Sequence, residues 1–239
     1  MLLIGDRMDR LDKILSHLNY GTRKEVKKLI KDGYVKINGN TCLDVDYKFD
    51  IDNDVLQVFD FDIKYEEFVY IMLNKPKDVI SATYDPKLAT VLDLMPEYKK
   101  MGVAPVGRLD IDTEGLLLLT NDGKLAHNLL SPNKHVDKKY YVKFSGEFKD
   151  EYIEKVLKGI QIDDFITKPG KLEQISEREA YITIHEGKFH QVKKMFEALS
   201  MHVDYLQRVE FKNLKLDKSL NLGEYRKLTI EEIEGLKNE

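Results

Sequence analysis

The spacing of apolar residues in the first forty positions predicts two short amphipathic helices, because residues three and four apart share one helical face. Their apolar faces comprise Leu11, Ile14, Leu15 and Leu18 in the first helix and Val26, Leu29 and Ile30 in the second. Thr22, with Glu25 three residues later, predicts an N-cap for the second helix, and Gly33 is suited to end it. Asn38-Gly39 then predicts a hairpin turn.

The pattern changes after the polar, acidic passage FDFDIKYEEF at 59–68. Strands are predicted in VYIMLN, GLLLLT, KKYYVKFSG and AYITIHEG, a short helix in TVLDLMP, and further helices over 123–130, 150–158 and 190–199. Strands and helices do not alternate regularly, which favours an α+β fold with antiparallel strands. The predicted organisation is a domain at 1–60, a linker at 61–67 and a second domain at 68–239.

Charge is distributed unevenly along the chain. Residues 1–39 carry nine Lys or Arg and five Asp or Glu, a local charge of +4 in a chain whose net charge is −4. A basic first domain favours an anionic partner such as nucleic acid. Cys42 is the single cysteine of the sequence, which fits a reducing compartment. No apolar run approaches the ~18 residues of a membrane span, so we expect a cytoplasmic protein.

The segment GRLDIDTEGLLLLTND at 107–122 places acids at alternate positions just before a hydrophobic run. Asp110, Asp112 and Glu114 match the start of a calcium-binding loop, but Asn121 occupies the position where a bidentate Glu is needed. We therefore predict no metal site. A solvated acidic loop remains an alternative. In either case Asp112 is expected to shape the turn and Glu114 to be exposed. The alternation of Arg108 with Asp110 instead indicates a polar side facing a cleft.

Four segments resemble, in order, the motifs of the RsuA-type ribosomal RNA (rRNA) pseudouridine synthases: GRLDIDTEGLLLLTNDG, DKKYYV, EGKFHQVKKMFEAL and the closing LGEYRKL. The N-terminal forty residues, which contain RLDKIL and LIKDGYVKINGN, resemble an S4 RNA-binding domain. The resemblance implies a small N-terminal S4 domain followed by a catalytic domain. The catalytic domain is expected to have a largely antiparallel mixed sheet flanked by helices. The implied reaction is isomerisation of a uridine to pseudouridine, which needs no cofactor.

The resemblance also assigns the catalytic residues. Asp110 matches the catalytic aspartate, which acts while the bond from uracil N1 to ribose C1′ is cleaved and the base rejoins through C5. Tyr140 matches the tyrosine that stacks on the target base, and Lys193 matches the basic residue that pairs with the aspartate. The alternatives are an ordinary strand tyrosine and a surface pair of Lys193 with Glu197. Tyr141 is expected in the core.

A wider substrate-binding set is predicted around these three residues: Arg108, Lys138, His190, Gln191 and Val192. Arg108 matches the arginine that holds the flipped nucleotide or fills its space, with a salt bridge to a neighbouring acid as the alternative. His190 and Gln191 precede a helix, where backbone donors can meet a phosphate. Val192 also falls on the apolar face of that helix.

RNA binding is assigned to basic residues of the first domain: Arg10, Lys13, Arg23, Lys24, Lys27, Lys28 and Lys36. A merely solvated helix face is the alternative for each of them. The partner is predicted to be rRNA, with 16S rRNA favoured because FHQVKKM resembles the small-subunit type, either free or within an assembling subunit. A monomer is expected. Large-subunit rRNA, or a non-catalytic S4-type assembly factor, remain the alternative interpretations.

Overall fold

The computed structural model describes residues 8–131 and 134–238. These residues form two compact units with the boundary between Glu67 and Phe68. Residues 1–7, assigned above to the first domain, lie outside the described residues. Among the described helices, none is both long enough and apolar enough to cross a membrane.

The first unit packs two helices against short strands: β1 Met8–Arg10, α1 Leu11–His17, α2 Arg23–Lys31, β2 Val35–Ile37, β3 Asn40–Thr41, β4 Lys48–Asp50, β5 Leu56–Val58 and β6 Phe61–Ile63. Strands β3, β2, β5 and β6 lie in that order in one antiparallel sheet. Thr22 and Glu25 form a reciprocal capping box at α2, as predicted. The apolar faces of both helices meet in one core with Val35 and Phe49.

The prediction of a linker at 61–67 is wrong for most of that segment. Phe61–Ile63 is strand β6, and Ile63 pairs with Leu56 of β5. Tyr65 is buried in the core of the first unit. Ile63 and Tyr65 are two residues apart and therefore face the same side of an extended chain. Charged residues between and around them, including Asp62, Lys64 and Glu66, hid this short alternation from a reading of composition.

The second unit is an α+β domain with these helices and strands: β7 Tyr70–Lys75, β8 Ala104–Pro105, β9 Glu114–Thr120, α3 Gly123–Leu130, β10 Lys138–Ser145, α4 Glu151–Lys158, β11 Gln161–Ile162, β12 Phe165–Ile166, β13 Lys171–Ser176, β14 Glu179–Ile184, α5 Gln191–Ala198, β15 His202–Phe211, β16 Leu214–Lys215, β17 Tyr225–Lys227 and α6 Ile230–Lys237. The short helix predicted in TVLDLMP is the 3-10 helix Val91–Leu94. The three longer helices predicted in this domain are confirmed.

The central sheet has the order β13-β14-β10-β15-β9-β7-β17. Neighbours along this path are antiparallel except β15 and β9, which are parallel. The predicted mixed, mainly antiparallel sheet is therefore confirmed. The parallel pair lies in the middle of the sheet, and it brings the chain before β9 close to the middle of β15.

Strand β9 is buried along its whole length because both faces of the sheet are covered there. Leu117 and Leu119 pack into the larger core of this unit, whereas Leu116 and Leu118 pack into a second core on the opposite face. This explains the uninterrupted run of leucines, since a strand buried on both faces needs no polar alternation. The acidic segment is thereby fixed at the start of a rigid strand.

Gly115 is required at the point where β9 meets β15. Its φ is +99°, and a Cβ on it would lie 2.3 Å from the carbonyl oxygen of Arg208. A φ in this range is adopted readily by glycine and rarely by other residues. The two strands could not approach so closely with any side chain at this position.

Candidate active site

A buried lysine holds the loop that carries Asp110. Lys75, the last residue of β7, is fully buried, and its Nζ donates to the carbonyl oxygens of Pro76 at 2.9 Å, Thr113 at 3.0 Å and Asp110 at 3.1 Å. The backbone N–H of Thr113 also donates to the carbonyl of Asp110 at 3.1 Å, which closes the turn. The loop therefore wraps around an ammonium group, and this fixes the position of Asp110.

Burial lowers the pKa of Lys75 to about 8, although the nearby carboxylates, first among them Asp112, act in the opposite direction. Sequence reasoning did not find this residue. The available signal was a lysine at the end of a mainly apolar strand, directly before Pro76. Such a lysine cannot stay in the sheet without several hydrogen-bond acceptors around its charge.

Asp110 faces two basic side chains from α5 and the residue before it. Its Oδ2 lies 3.7 Å from Nζ of Lys193 and 3.8 Å from Nε2 of His190. The carboxylate is partly accessible, with 29% of the side chain exposed. The fold thus brings together two segments that are about eighty residues apart in the sequence.

Lys193 also binds the second acid of the loop, and more closely. Its Nζ lies 2.6 Å and 2.7 Å from the two carboxylate oxygens of Asp112. Burial acts to raise the pKa of Asp112, but the hydrogen bond and charge of Lys193 outweigh it, so the pKa is lowered. Within the described residues the ion pairs of Lys193 are to Asp110 and Asp112, and the surface pair with Glu197 is not formed.

The prediction of an exposed Glu114 is wrong. Glu114 is the first residue of β9, is buried, and accepts a hydrogen bond of 2.7 Å from the hydroxyl of Tyr205 on the neighbouring β15. Burial, together with this bond to a carboxylate, raises the pKa of Tyr205. Glu114 therefore stabilises the parallel strand pair, and it lies apart from the cavity that contains Asp110.

Tyr140 on β10 is buried and lines the cavity next to Asp110. Tyr141 faces the opposite side of the sheet, where it is partly exposed and its hydroxyl donates to Glu179 at 2.5 Å. The prediction that Tyr141 belongs to the core is therefore wrong. The face of β10 that carries Tyr140 is the one covered by the larger core, whereas the other face is partly open at this point.

The remaining residues predicted to bind substrate differ in how far their side chains are exposed. Arg108 is exposed and has no ion pair among residues 8–131 and 134–238, so the salt-bridge alternative is not formed there. The ring of His190, a residue with φ of +52°, stacks on Phe189. Val192 is buried in the core and also lines the cavity.

Gln191 has an internal role. Its amide nitrogen donates to Glu186 at 2.9 Å, and its amide oxygen accepts from the backbone N–H of Lys188 at 3.0 Å. These bonds fold the segment before α5 against the helix. The side chain of Gln191 is therefore already engaged within the protein, and the residue also lines the cavity that contains Asp110.

Two adjoining cavities surround these residues. The smaller, of about 70 Å³, is lined by Asp110, Thr113, His190, Lys193 and Leu206 among others. The larger, of about 500 Å³, is lined by Lys138, Arg208 and Phe211 among others. Arg108, Tyr140, Gly187 and Lys188 line both. The larger cavity has the volume usual for ligand sites, ~300–1,000 Å³.

The seven basic residues predicted to bind RNA fall into two groups. Arg23, Lys24, Lys27 and Lys28 are exposed on α2, opposite the buried Val26 and Ile30, and form no ion pair with another described residue. The other three are already paired: Arg10 with Asp12 and Asp46, Lys13 with Asp9, and Lys36 with Asp60. The exposed face of α2 is therefore the surface best suited to contact phosphates.

Comparison with known proteins agrees with the two units. Residues 69–198 match the family of RNA pseudouridylate synthases, and residues 9–56 match the S4 domain. An uncharacterized RNA pseudouridine synthase of Bacillus subtilis is 46% identical, with 94% of this chain and 96% of that protein covered.

Relatives named for both ribosomal subunits are similarly distant. A ribosomal large subunit pseudouridine synthase B of Bacillus subtilis is 37% identical, with 96% of each chain covered. A ribosomal small subunit pseudouridine synthase A of Pseudomonas aeruginosa is 36% identical, with 94% and 98% covered. A crystal structure of a pseudouridylate synthase superimposes with a TM-score of 0.68 at 36% identity, covering 95% of this chain and 99% of that one.

Proposed function

The chain belongs to the family of RNA pseudouridylate synthases, and on that premise we propose that it isomerises one specific uridine of rRNA, in the first instance 16S rRNA, to pseudouridine. The observation that carries this proposal is the cavity in which Asp110, Lys193 and Tyr140 meet. A uridine stacked in RNA is out of reach of such a cavity, so the target nucleotide has to be flipped out of its helix or loop.

In the proposed reaction Asp110 acts on the ribose of the flipped uridine. The carboxylate attacks as a nucleophile or abstracts a proton, and it stabilises the positive charge that develops on the sugar while the bond from C1′ to N1 breaks. The base then turns and forms a bond from C5 to C1′; C5 loses a proton and N1 gains one. Reactant and product have the same composition, so no redox cofactor or ATP enters the balance.

The surrounding residues support that carboxylate. A flipped base would exclude water from Asp110, which disfavours the charged form, and a cation within about 4–6 Å opposes this effect. Lys193 lies at such a distance. Tyr140, which lines the cavity, is assigned to stack on the base, a contact worth ~1–3 kcal/mol in other systems. We assign to Arg108, which is exposed and lines both cavities, the role of holding the flipped nucleotide or filling the space that it leaves.

The first unit is assigned to docking. Arg23, Lys24, Lys27 and Lys28 present four cations on one helical face, where phosphate contacts add up. We propose that this unit brings rRNA to the enzyme, as a free strand or within an assembling subunit, in the cytoplasm and as a monomer. The choice of 16S rRNA rests on the segment FHQVKKM; a large-subunit uridine is the alternative substrate.

The decisive experiment maps pseudouridines in 16S and 23S rRNA from cells with and without the gene. We expect one site to be lost and to return when the parent gene is restored, but not when Asp110→Asn is restored. A lost site in 23S rRNA would reassign the substrate. If no rRNA site is lost, and both versions correct a ribosome-assembly defect equally, the protein is the non-catalytic binder.

A further inference from the structure

The larger cavity beside the active site contains a buried cation with no counter-charge. Arg208 on β15 is only 2% exposed and lines this cavity. Its Nε donates to the carbonyl of Leu116 at 2.7 Å, but its Nη2 is buried and has no hydrogen-bond partner. No carboxylate of the described residues forms an ion pair with it. Burial lowers its pKa, while Tyr140 acts in the opposite direction.

A second cation faces the same cavity. Nζ of Lys138 donates to the carbonyl of Val136 at 2.9 Å and lies 5.8 Å from the centre of the Phe211 ring. The guanidinium of Arg208 lies 5.0 Å from the centre of that same ring. Burial and the charge of Arg208 lower the pKa of Lys138 to about 8, although Asp137 and Glu186 oppose this. Two like charges are therefore held close together in a partly buried place.

The acid among the residues that line this cavity is already engaged. Glu186 lines the cavity, but its Oε1 accepts hydrogen bonds of 2.9 Å from Gln191 and from the backbone N–H of Lys168. A buried, unpaired cation is unfavourable unless something supplies the opposite charge. A guanidinium presents its donors in a planar fork that matches the oxygens of a phosphate. The cavity is thus suited to a phosphate group.

We propose that this cavity binds one backbone phosphate of the RNA substrate, next to the target uridine, with Arg208 and Lys138 as its ligands. This assignment rests on the proposed function. Tyr140 lines both cavities, so a base stacked on it in the smaller cavity would leave its flanking phosphate within reach of the larger one. RNA carries a phosphate at each nucleotide, and therefore the substrate itself supplies the missing charge.

The first arm of the test measures binding without turnover. Inorganic phosphate is titrated into the full-length protein while the Nε–H signal of Arg208 is followed by NMR. We expect a saturable shift in the parent and a titration weakened about ten-fold or more in Lys138→Met. Lys139→Met is the matched control, because Lys139 faces the other side of β10, where its Nζ lies over the ring of Tyr181.

The second arm identifies the source of the phosphate. A single-stranded oligouridylate is compared with the same oligomer carrying neutral methylphosphonate linkages. The parent and Lys139→Met should prefer the natural backbone, and Lys138→Met should lose part of that preference together with about 0.7 unit of salt slope. If phosphate shifts Arg208 but the preference is equal in all three proteins, the cavity takes a free anion and the RNA assignment is overturned.

The absence of any phosphate-dependent shift at Arg208 would overturn the site altogether. Failure of the proposed function has a different signature. If rRNA mapping finds no lost pseudouridine while the Lys138-dependent preference for the natural phosphate backbone persists, the phosphate site is supported and the enzymatic proposal is contradicted. If Lys138→Met forms pseudouridine with the same KM as the parent, the enzymatic proposal is supported and the phosphate site is contradicted.

Discussion

Lys193 lies between two carboxylates, with its Nζ 2.6 Å from Asp112 and 3.7 Å from Asp110. Lys193, the cation proposed to support the catalytic Asp110, is thus shared between two acids. Its shorter contact is to Asp112, for which no chemical role is proposed. Asp112 is the more exposed of the two acids, with 61% of its side chain accessible against 29% for Asp110. A substrate that enters next to Asp110 would exclude water there and strengthen the longer contact.

The first prediction concerns Asp110. Asp110→Asn keeps the shape of the side chain and removes its charge, so pseudouridine formation should fall by about three orders of magnitude or more. The free energy of unfolding should change by less than about 0.5 kcal/mol, because the partners of this side chain are long ion pairs near the surface. Single-turnover assays on rRNA and urea unfolding measure the two effects. Activity within a few-fold of the parent would show that Asp110 is not the essential carboxylate.

The second prediction separates charge from geometry at Lys193. Lys193→Met should fold but lose most of its turnover, because the carboxylate of Asp110 loses the ammonium group that lies 3.7 Å from it. Lys193→Arg should be milder because the charge is kept.

The matched control is Lys194→Met, since Lys194 follows in the same helix and pairs with Asp163 outside the cavity. If Lys193→Met and Lys194→Met show equal, small losses of single-turnover rate, Lys193 is only a surface ion-pair residue.

The third prediction concerns Lys75, which holds the loop that carries Asp110. Lys75→Met leaves the carbonyl groups of Pro76, Asp110 and Thr113 without their donor, so the free energy of unfolding should fall by about 1–3 kcal/mol. Turnover should fall as well, because the loop that places Asp110 is no longer held. Lys77→Met, at an exposed position two residues later, should change neither quantity.

The effect of Lys75 should also depend on pH. The pKa of Lys75 is about 8 in the folded protein and 10.5 in the unfolded chain. At pH values between these two, the unfolded chain therefore binds more protons than the folded protein does. Stability from this group therefore rises with pH across that interval and is smallest below about pH 8. The difference in unfolding free energy between parent and Lys75→Met should widen from about pH 8 to about pH 9.5 in urea titrations. A constant difference would contradict the burial of a charged Lys75.

The fourth prediction tests the contact of β9 with β15. Gly115→Ala should destabilise the protein by more than about 3 kcal/mol or prevent folding, because its Cβ would overlap the backbone of Arg208 and its φ is positive. Gly123→Ala is the control: a Cβ there meets nothing within 4 Å, and alanine favours the helix that begins at that residue. Thermal unfolding of both variants decides the question; similar melting temperatures would contradict the close approach.

The fifth prediction concerns docking. Changing Arg23, Lys24, Lys27 and Lys28 to Glu should weaken rRNA binding and reduce the salt dependence of log K by about 0.7–0.9 unit for each lost phosphate contact. Lys155→Glu and Lys158→Glu provide a control on α4, where both lysines are exposed and already pair with acids. Filter binding at several salt concentrations gives the slopes. Equal slopes for the parent and the α2 variant would exclude this helix as the docking surface.

Local sequence was sufficient for most of the helices and strands. The apolar spacing around Leu11 and Val26, the cap at Thr22 and the run from Leu116 to Leu119 each depend on neighbours within a few residues, and each occurs as predicted. The order of the motifs likewise identified the family to which the chain belongs. Such signals are readable because helical and strand periods and turn chemistry are short-range properties.

The contacts of the site depend on pairings that no local pattern specifies. Lys193 approaches Asp110, and Arg208 approaches Tyr140, because α5 packs near the start of β9 and because β15 lies between β9 and β10. The same sheet order buries Lys75 and Glu114, two charged residues that local sequence placed at the surface or left unassigned. A charged side chain is stable in such a place only when distant parts of the chain supply its partners. Its burial therefore follows from the packing of the whole sheet, and a window of neighbouring residues does not contain that information.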